Sequence, residues 1–100
     1  MRLQIHSIHF DADIKLIEFI QKKSDKLETY FDQILNGEVF LRLDKGEHSR
    51  ANKVVEIKLN IPGATLFSKQ QNTSFEAATD QAVEGLRRQI KKHKEKLLQK

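Results

Sequence analysis

The chain contains no cysteine, which excludes disulfide frameworks, thiolate metal sites and thiol nucleophiles. It also lacks any apolar run approaching the ~18 residues that a membrane span requires. Its opening, Met1-Arg2-Leu3-Gln4-Ile5-His6, has no apolar stretch of the kind a secretory signal carries. Internal repeats, linkers and low-complexity tracts are missing too. These absences point to a cytoplasmic protein with no membrane association. The 100 residues suffice for one domain, residues 1–100, and leave no room for a separate catalytic domain.

Acid is scarce in one place. From Gly85 to Lys100 only Glu95 is acidic, against Arg87, Arg88, Lys91, Lys92, Lys94, Lys96 and Lys100. That segment therefore carries more than the whole formal net charge of +4, and the remainder is net acidic. The overall pI is near 9.4, the range expected of a polyanion binder. Charged residues make up 32% of the chain, above the usual ~25%, while 38% hydrophobic content still supports a core.

Hydrophobic spacing sets the elements. Arg2 to Ile8 alternates, with Leu3 and Ile5 on one face, and predicts a strand. Asp13 is placed to cap a helix running from Ile14 to about Phe31, whose apolar face is Leu16, Ile17, Ile20, Ser24, Leu27 and Phe31. Asn36-Gly37 is expected to end that helical region, glycine taking a left-handed conformation. Two strands follow: Val39, Leu41 and Leu43 point inward on one, and Val55, Ile57, Leu59 and Ile61 on the other. Lys45 to Asn52 reads as a polar loop, Pro62-Gly63 as a tight turn, and Ala64 to Gln71 as a fourth strand at an edge. The last helix spans about Ser74 to Leu97, with Val83, Leu86, Ile90 and Leu97 as its stripe and Gly85 as a weakness of roughly 1 kcal/mol. The predicted class is α+β: a two-layer β-α-β-β-β-α sandwich whose mixed four-stranded sheet carries both helices on one face.

On a helical wheel at about 100° per residue, Lys94, Arg87, Lys91, Arg88 and Lys92 share one arc of the last helix, opposite its apolar stripe. Residues one turn apart lie about 6 Å apart along the axis, a ladder that can meet successive phosphates. In the first helix Lys15, Lys22 and Lys26 line one flank with Lys23 at its border, and Glu18, Asp25 and Glu28 line the other. Two helices side by side on a sheet can join these cations into one patch. Solvated lysine faces are common, but such faces ordinarily mix Glu with Lys at i,i+4.

Three stretches resemble the ribosome hibernation promoting factor family, which includes the ribosome-associated inhibitor called protein Y. Lys23 to Asp32 resembles its K-x-x-K-L-E-x-Y-F-D run. Phe75 to Ile90 resembles its A-A-x-D-x-A-V-x-x-L-x-R-Q-I pattern, through Ala77, Ala78, Asp80, Ala82, Val83, Leu86, Arg88, Gln89 and Ile90, and Lys91 to Leu97 resembles its basic K-H-K-x-K-L ending. The chain departs from the family at Ser7, Ser74, Glu76 and Gly85. The resemblance implies a double-stranded-RNA-binding-domain-like fold with an added first strand. It also implies docking on the small ribosomal subunit near the decoding region, where messenger and transfer RNA are blocked and translation is inhibited under stress. Carried over by motif, the contacts to ribosomal RNA are Lys23, Lys26, Arg88, Lys92 and Lys94; the wheel adds Lys22, Arg87, Lys91 and Lys96. The chain resembles the short form, a monomer off the ribosome, for which pairing of ribosomes would need a second factor.

Other constellations are weaker. His6 and His9 are oddly spaced on a strand and point to opposite faces, so no shared metal is expected. Asp80 and Glu84 share a helix side with no nucleophile, which leaves them as solvated carboxylates. His93 flanks the apolar stripe, and Gly63, in a hairpin turn, makes no phosphate loop. Phe40 and Phe67 are placed to stack bases if exposed on the outer sheet face. No enzyme, cofactor or small-molecule substrate is implied. The competing reading is a regulatory protein-interaction module of the sigma factor modulation type, pairing through an edge strand without direct RNA binding.

Overall fold

A computed structural model describes residues 1–46 and 50–98. In chain order the elements are β1 (Leu3–Ser7), α1 (Ile14–Asp25), a 3₁₀ helix (Lys26–Thr29), β2 (Asn36–Leu43), β3 (Lys53–Ile61), β4 (Ala64–Asn72) and α2 (Phe75–Leu98). The sheet order is β1-β2-β3-β4. β1 runs parallel to β2 across the α1 crossover, with Ile5 opposite Val39, and the other pairs are antiparallel. The predicted α+β class and element order hold. Of the polar loop, residues 47–49 lie outside the described residues, as does Lys100.

The core forms because both periodicities turn apolar groups to one side. Val39, Leu41, Val55, Ile57, Leu59 and Ile61 face Leu16, Ile20 and Leu27 of the first helical segments and Ala78, Ala82, Leu86 and Ile90 of α2. Each fully buried Leu or Ile contributes about 1.5–3 kcal/mol by leaving water. The ends are set by caps. Asp13 accepts the amide of Lys15 at 3.1 Å, and Ser74 Oγ accepts that of Ala77 at 3.0 Å, satisfying donors that have no partner within the helix. Gly63 has φ 78° between paired Ile61 and Ala64, the conformation that the second position of a type II turn needs.

Four local expectations are corrected. The first helix stops being α at Asp25 and tightens to 3₁₀ before Tyr30. Gly37 does not terminate it; it is a buried residue of β2 paired with Leu3 and Leu59. A Cβ there would sit 2.8 Å from Leu59 Cδ2, 2.9 Å from Leu3 Cδ1 and 3.2 Å from the Lys58 carbonyl, so glycine is required by close approach. Leu43 and Leu97 are 43% and 58% exposed rather than buried; all described residues from Lys94 onward are exposed, α2 having outrun the layer beneath it. Gly85 is more than a weakness, since a Cβ there would lie 2.9 Å from Ser68 Oγ, and glycine lets α2 close on β4. Gly37→Ala is expected to cost about 1–3 kcal/mol through overpacking, read as a fall in the thermal midpoint by circular dichroism.

Candidate nucleic-acid interface

α1 and α2 lie side by side, and named contacts fix their seam. Lys23 Nζ sits 3.3 Å from Asp80 Oδ1. Lys94 Nζ donates to the Tyr30 carbonyl at 2.9 Å. Phe31 and His93 meet edge to face at 5.7 Å, so His93 is a packing residue. On the other flank, Asp25 at the end of α1 and Glu28 of the 3₁₀ helix accept from the Met1 ammonium at 3.2 and 2.6 Å, which raises the pKa of that amine, chiefly through Glu28. The acidic side of α1 is thus tied to the start of β1, and the side bearing Lys23 adjoins α2. Lys26 is exposed. Lys22 is exposed too, beside Glu18 and Asp25 in a shallow depression.

The cations of α2 divide around its ridge. Arg87, Lys91 and Lys94 line a cleft with Tyr30 on the α1 side. Arg88 and Lys92 line a groove with Phe67 and Lys69 on the β4 side. Lys96 is exposed on the last turns. The wheel places these residues on one arc; the fold brings them together as two rows with the α2 ridge between them.

The face is also less uniformly basic than the count after Gly85 implies, because Glu84 lies just before it. The Glu84 carboxylate is 2.6 Å from Arg87 Nη2 and accepts from Arg87 Nε as well, and it is 3.9 Å from Arg88 Nη1. Hydrogen bonding to Arg87 holds the Glu84 carboxyl below the usual carboxylate range, with Arg88 adding to this, and Glu84 in turn raises the Arg87 pKa. Asp80 and Glu84 are exposed but engaged, one with Lys23 and the other with the two arginines. They partly neutralise the middle of the seam and leave Lys22, Lys26, Arg88, Lys91, Lys92, Lys94 and Lys96 as the outer cations.

The remaining candidates find structural employment. His6 stacks on Phe40 at 4.9 Å and lies 3.3 Å from Glu38. His9 lies beyond β1 with φ 66°. Arg42 pairs with Glu56 on the outer sheet face. Phe67 is half exposed on β4. At that residue the Gln89 side chain accepts from the Phe67 amide at 3.4 Å and donates to its carbonyl at 2.7 Å. Gln89 thereby occupies the backbone groups of one residue on the β4 edge.

Residues 3–98 match the family described as sigma 54 modulation protein / S30EA ribosomal protein. The chain belongs to that family. It is 32% identical over 99 residues to the ribosome hibernation promoting factor of Escherichia coli, covering 99% of both chains. It is 31% identical over 96 residues to the factor of the same name from Pseudomonas putida, covering 96% of this chain and 89% of that one. Its fold superposes on a ribosomal subunit interface protein from Coxiella burnetii with a TM-score of 0.83 at 22% identity, over 94% of this chain and 98% of the other. The S30EA family consists of non-enzymatic binding proteins, and among the described residues of this member no helix is long and apolar enough to cross a membrane.

In this S30EA-family chain, sequence reasoning left Tyr30, Glu84 and Gln89 without site roles. Glu84 was readable in principle, since it stands at i,i+3 and i,i+4 to Arg87 and Arg88. Tyr30 and Gln89 carry no such local signal, because their partners lie 64 and 22 residues away.

Proposed function

We propose that this chain is a ribosome hibernation factor, which binds the small ribosomal subunit near the decoding region and keeps messenger and transfer RNA out. The observation that carries the reading is the outer cation array of α2, Arg88, Lys91, Lys92, Lys94 and Lys96, beside which Lys22 of α1 and Lys26 of the 3₁₀ helix stand exposed. From Arg88 to Lys96 the array runs about 12 Å along the helix axis, enough to follow consecutive phosphates of ribosomal RNA. Such contacts grip through charge and counterion release and position the protein without reading sequence. Lys23 and Arg87 join them from the seam, where each already has a carboxylate partner. The names of the relatives support the hibernation role.

The test is direct. Purified protein is sedimented with small subunits, and the loaded subunits are challenged with messenger RNA and initiator transfer RNA. Co-sedimentation with mutual exclusion is expected; a protein that stays at the top of the gradient, or that sediments without displacing either RNA, overturns the reading.

Glu84 supplies a gain-of-affinity prediction. Glu84→Gln keeps a hydrogen-bond acceptor for Arg87 but removes the charge that competes with RNA phosphate. Subunit binding should tighten several-fold, and the slope of log affinity against log salt should steepen by roughly one. Equilibrium binding at several salt concentrations checks both values.

A further inference from the structure

The cleft between the 3₁₀ helix and α2 is built differently from the rest of the basic face. It has a volume of about 240 Å³, and Tyr30, Ile90 and Leu98 give it an apolar floor, while Arg87, Lys91 and Lys94 stand around it. Tyr30 is 47% exposed, yet it is held at both ends of its backbone. Its amide donates to the Leu27 carbonyl at 3.1 Å, and its carbonyl accepts from Lys94 at 2.9 Å. The Arg87 guanidinium lies 6.0 Å from the ring centroid, within cation–π range. A half-bare aromatic ring on a fixed backbone, flanked by three cations, fits a ligand with a flat apolar face and negative charge on either side. Glu95, at the rim, is the one acid in the lining.

We propose that this cleft takes one unpaired nucleobase of RNA, stacked on Tyr30, with its flanking phosphates on Arg87, Lys91 and Lys94. The inference rests on the RNA-binding reading above and adds a stacking site to it. Aromatic stacking tolerates any base, because every base presents a π face. The site therefore anchors the protein where the RNA is single-stranded, whereas the lysine rows grip any phosphate backbone. An apolar protein side chain would fit the floor but would bring no counter-charge to Lys91 and Lys94, whereas Arg87 already has Glu84.

The experiment has two arms. In the first, Tyr30→Phe and Tyr30→Leu are compared with the parent for affinity to small subunits across a salt series. Phe keeps the ring and is expected to bind as the parent does. Leu keeps apolar cover but no π face, and is expected to bind roughly 10-fold more weakly with an unchanged salt slope. In the second arm the parent is titrated with oligoadenylate and with inorganic polyphosphate. Tyr30 is the chain's single tyrosine and there is no tryptophan, so intrinsic emission reports this ring. Oligoadenylate should quench it, and polyphosphate should compete with oligoadenylate without quenching. A Leu variant with parental affinity, Phe and Leu variants equally weakened, RNA that leaves the emission unchanged, or polyphosphate that quenches as RNA does would each overturn the stacking site. If the parent does not bind subunits at all, it is the hibernation reading that fails, and the stacking site falls with it. Should the Leu variant not fold, the quenching arm decides on the parent alone.

Discussion

Replacing Lys92 and Lys94 together with glutamate is expected to weaken binding to small ribosomal subunits on the order of 100-fold or more near physiological salt. Each reversal removes a phosphate contact and puts a repelling charge in its place, so the two losses compound. The pair is chosen because the residues sit on opposite sides of α2: Lys92 in the groove against β4 and Lys94 in the cleft against Tyr30. Both are exposed. The variant gives up the Lys94 bond to the Tyr30 carbonyl and two favourable charges toward the C-terminal end of the helix, a cost of about 1–2 kcal/mol in all. The protein should stay folded, with a thermal midpoint lowered by several degrees. The single variants carry the structural information. If RNA runs along one side of α2, one reversal will account for most of the loss; if the RNA straddles the ridge, both will contribute comparably. Parental sedimentation of the double variant would remove α2 from the interface.

The elements were legible in the sequence because each rests on local chemistry. Alternating Val55, Ile57 and Leu59, the Asp13 cap and the Pro62-Gly63 turn act within a few residues of themselves. What escaped is tertiary. A wheel gives the angle of Arg88 relative to Arg87 but not where α1 and β4 lie around the helix, so one arc became two rows. Asn36-Gly37 carries a stop signal on local grounds, and only Leu3 and Leu59, distant in sequence, make Gly37 a close-packing position. Leu97 continues the apolar stripe by spacing, yet nothing in the spacing says where the covering layer ends. The cations themselves were readable from composition; their carboxylate partners at the seam were not all so, since Asp80 reaches Lys23 across the helix pair.

Raising monovalent salt from about 50 to 200 mM at constant magnesium is expected to lower subunit affinity roughly 10³-fold. The magnitude follows from the outer cations. Among the described residues, seven of them, Lys22, Lys26, Arg88, Lys91, Lys92, Lys94 and Lys96, have no carboxylate as close a partner as Lys23 and Arg87 have, for even the contact of Arg88 with Glu84 is as long as 3.9 Å. An interface of six or seven phosphates releases a counterion for nearly every contact, and the logarithm of affinity then falls linearly with the logarithm of salt, with a slope in proportion. Constant magnesium keeps the subunit itself intact, so the loss reports the interface and not its target. The competing module, gripping a partner through apolar surface or strand pairing, releases few ions and predicts a nearly flat line over the same range. The two accounts thus differ by about three orders of magnitude in one titration. The slope is diagnostic at a finer scale as well. Charge reversals should make it shallower in proportion to the phosphate contacts they remove, Glu84→Gln should make it steeper, and Tyr30→Leu should leave it unchanged because stacking releases no counterion. A flat line for the parent would mean that the basic ladder of α2 is a solvated surface, and that some other part of the molecule does the binding.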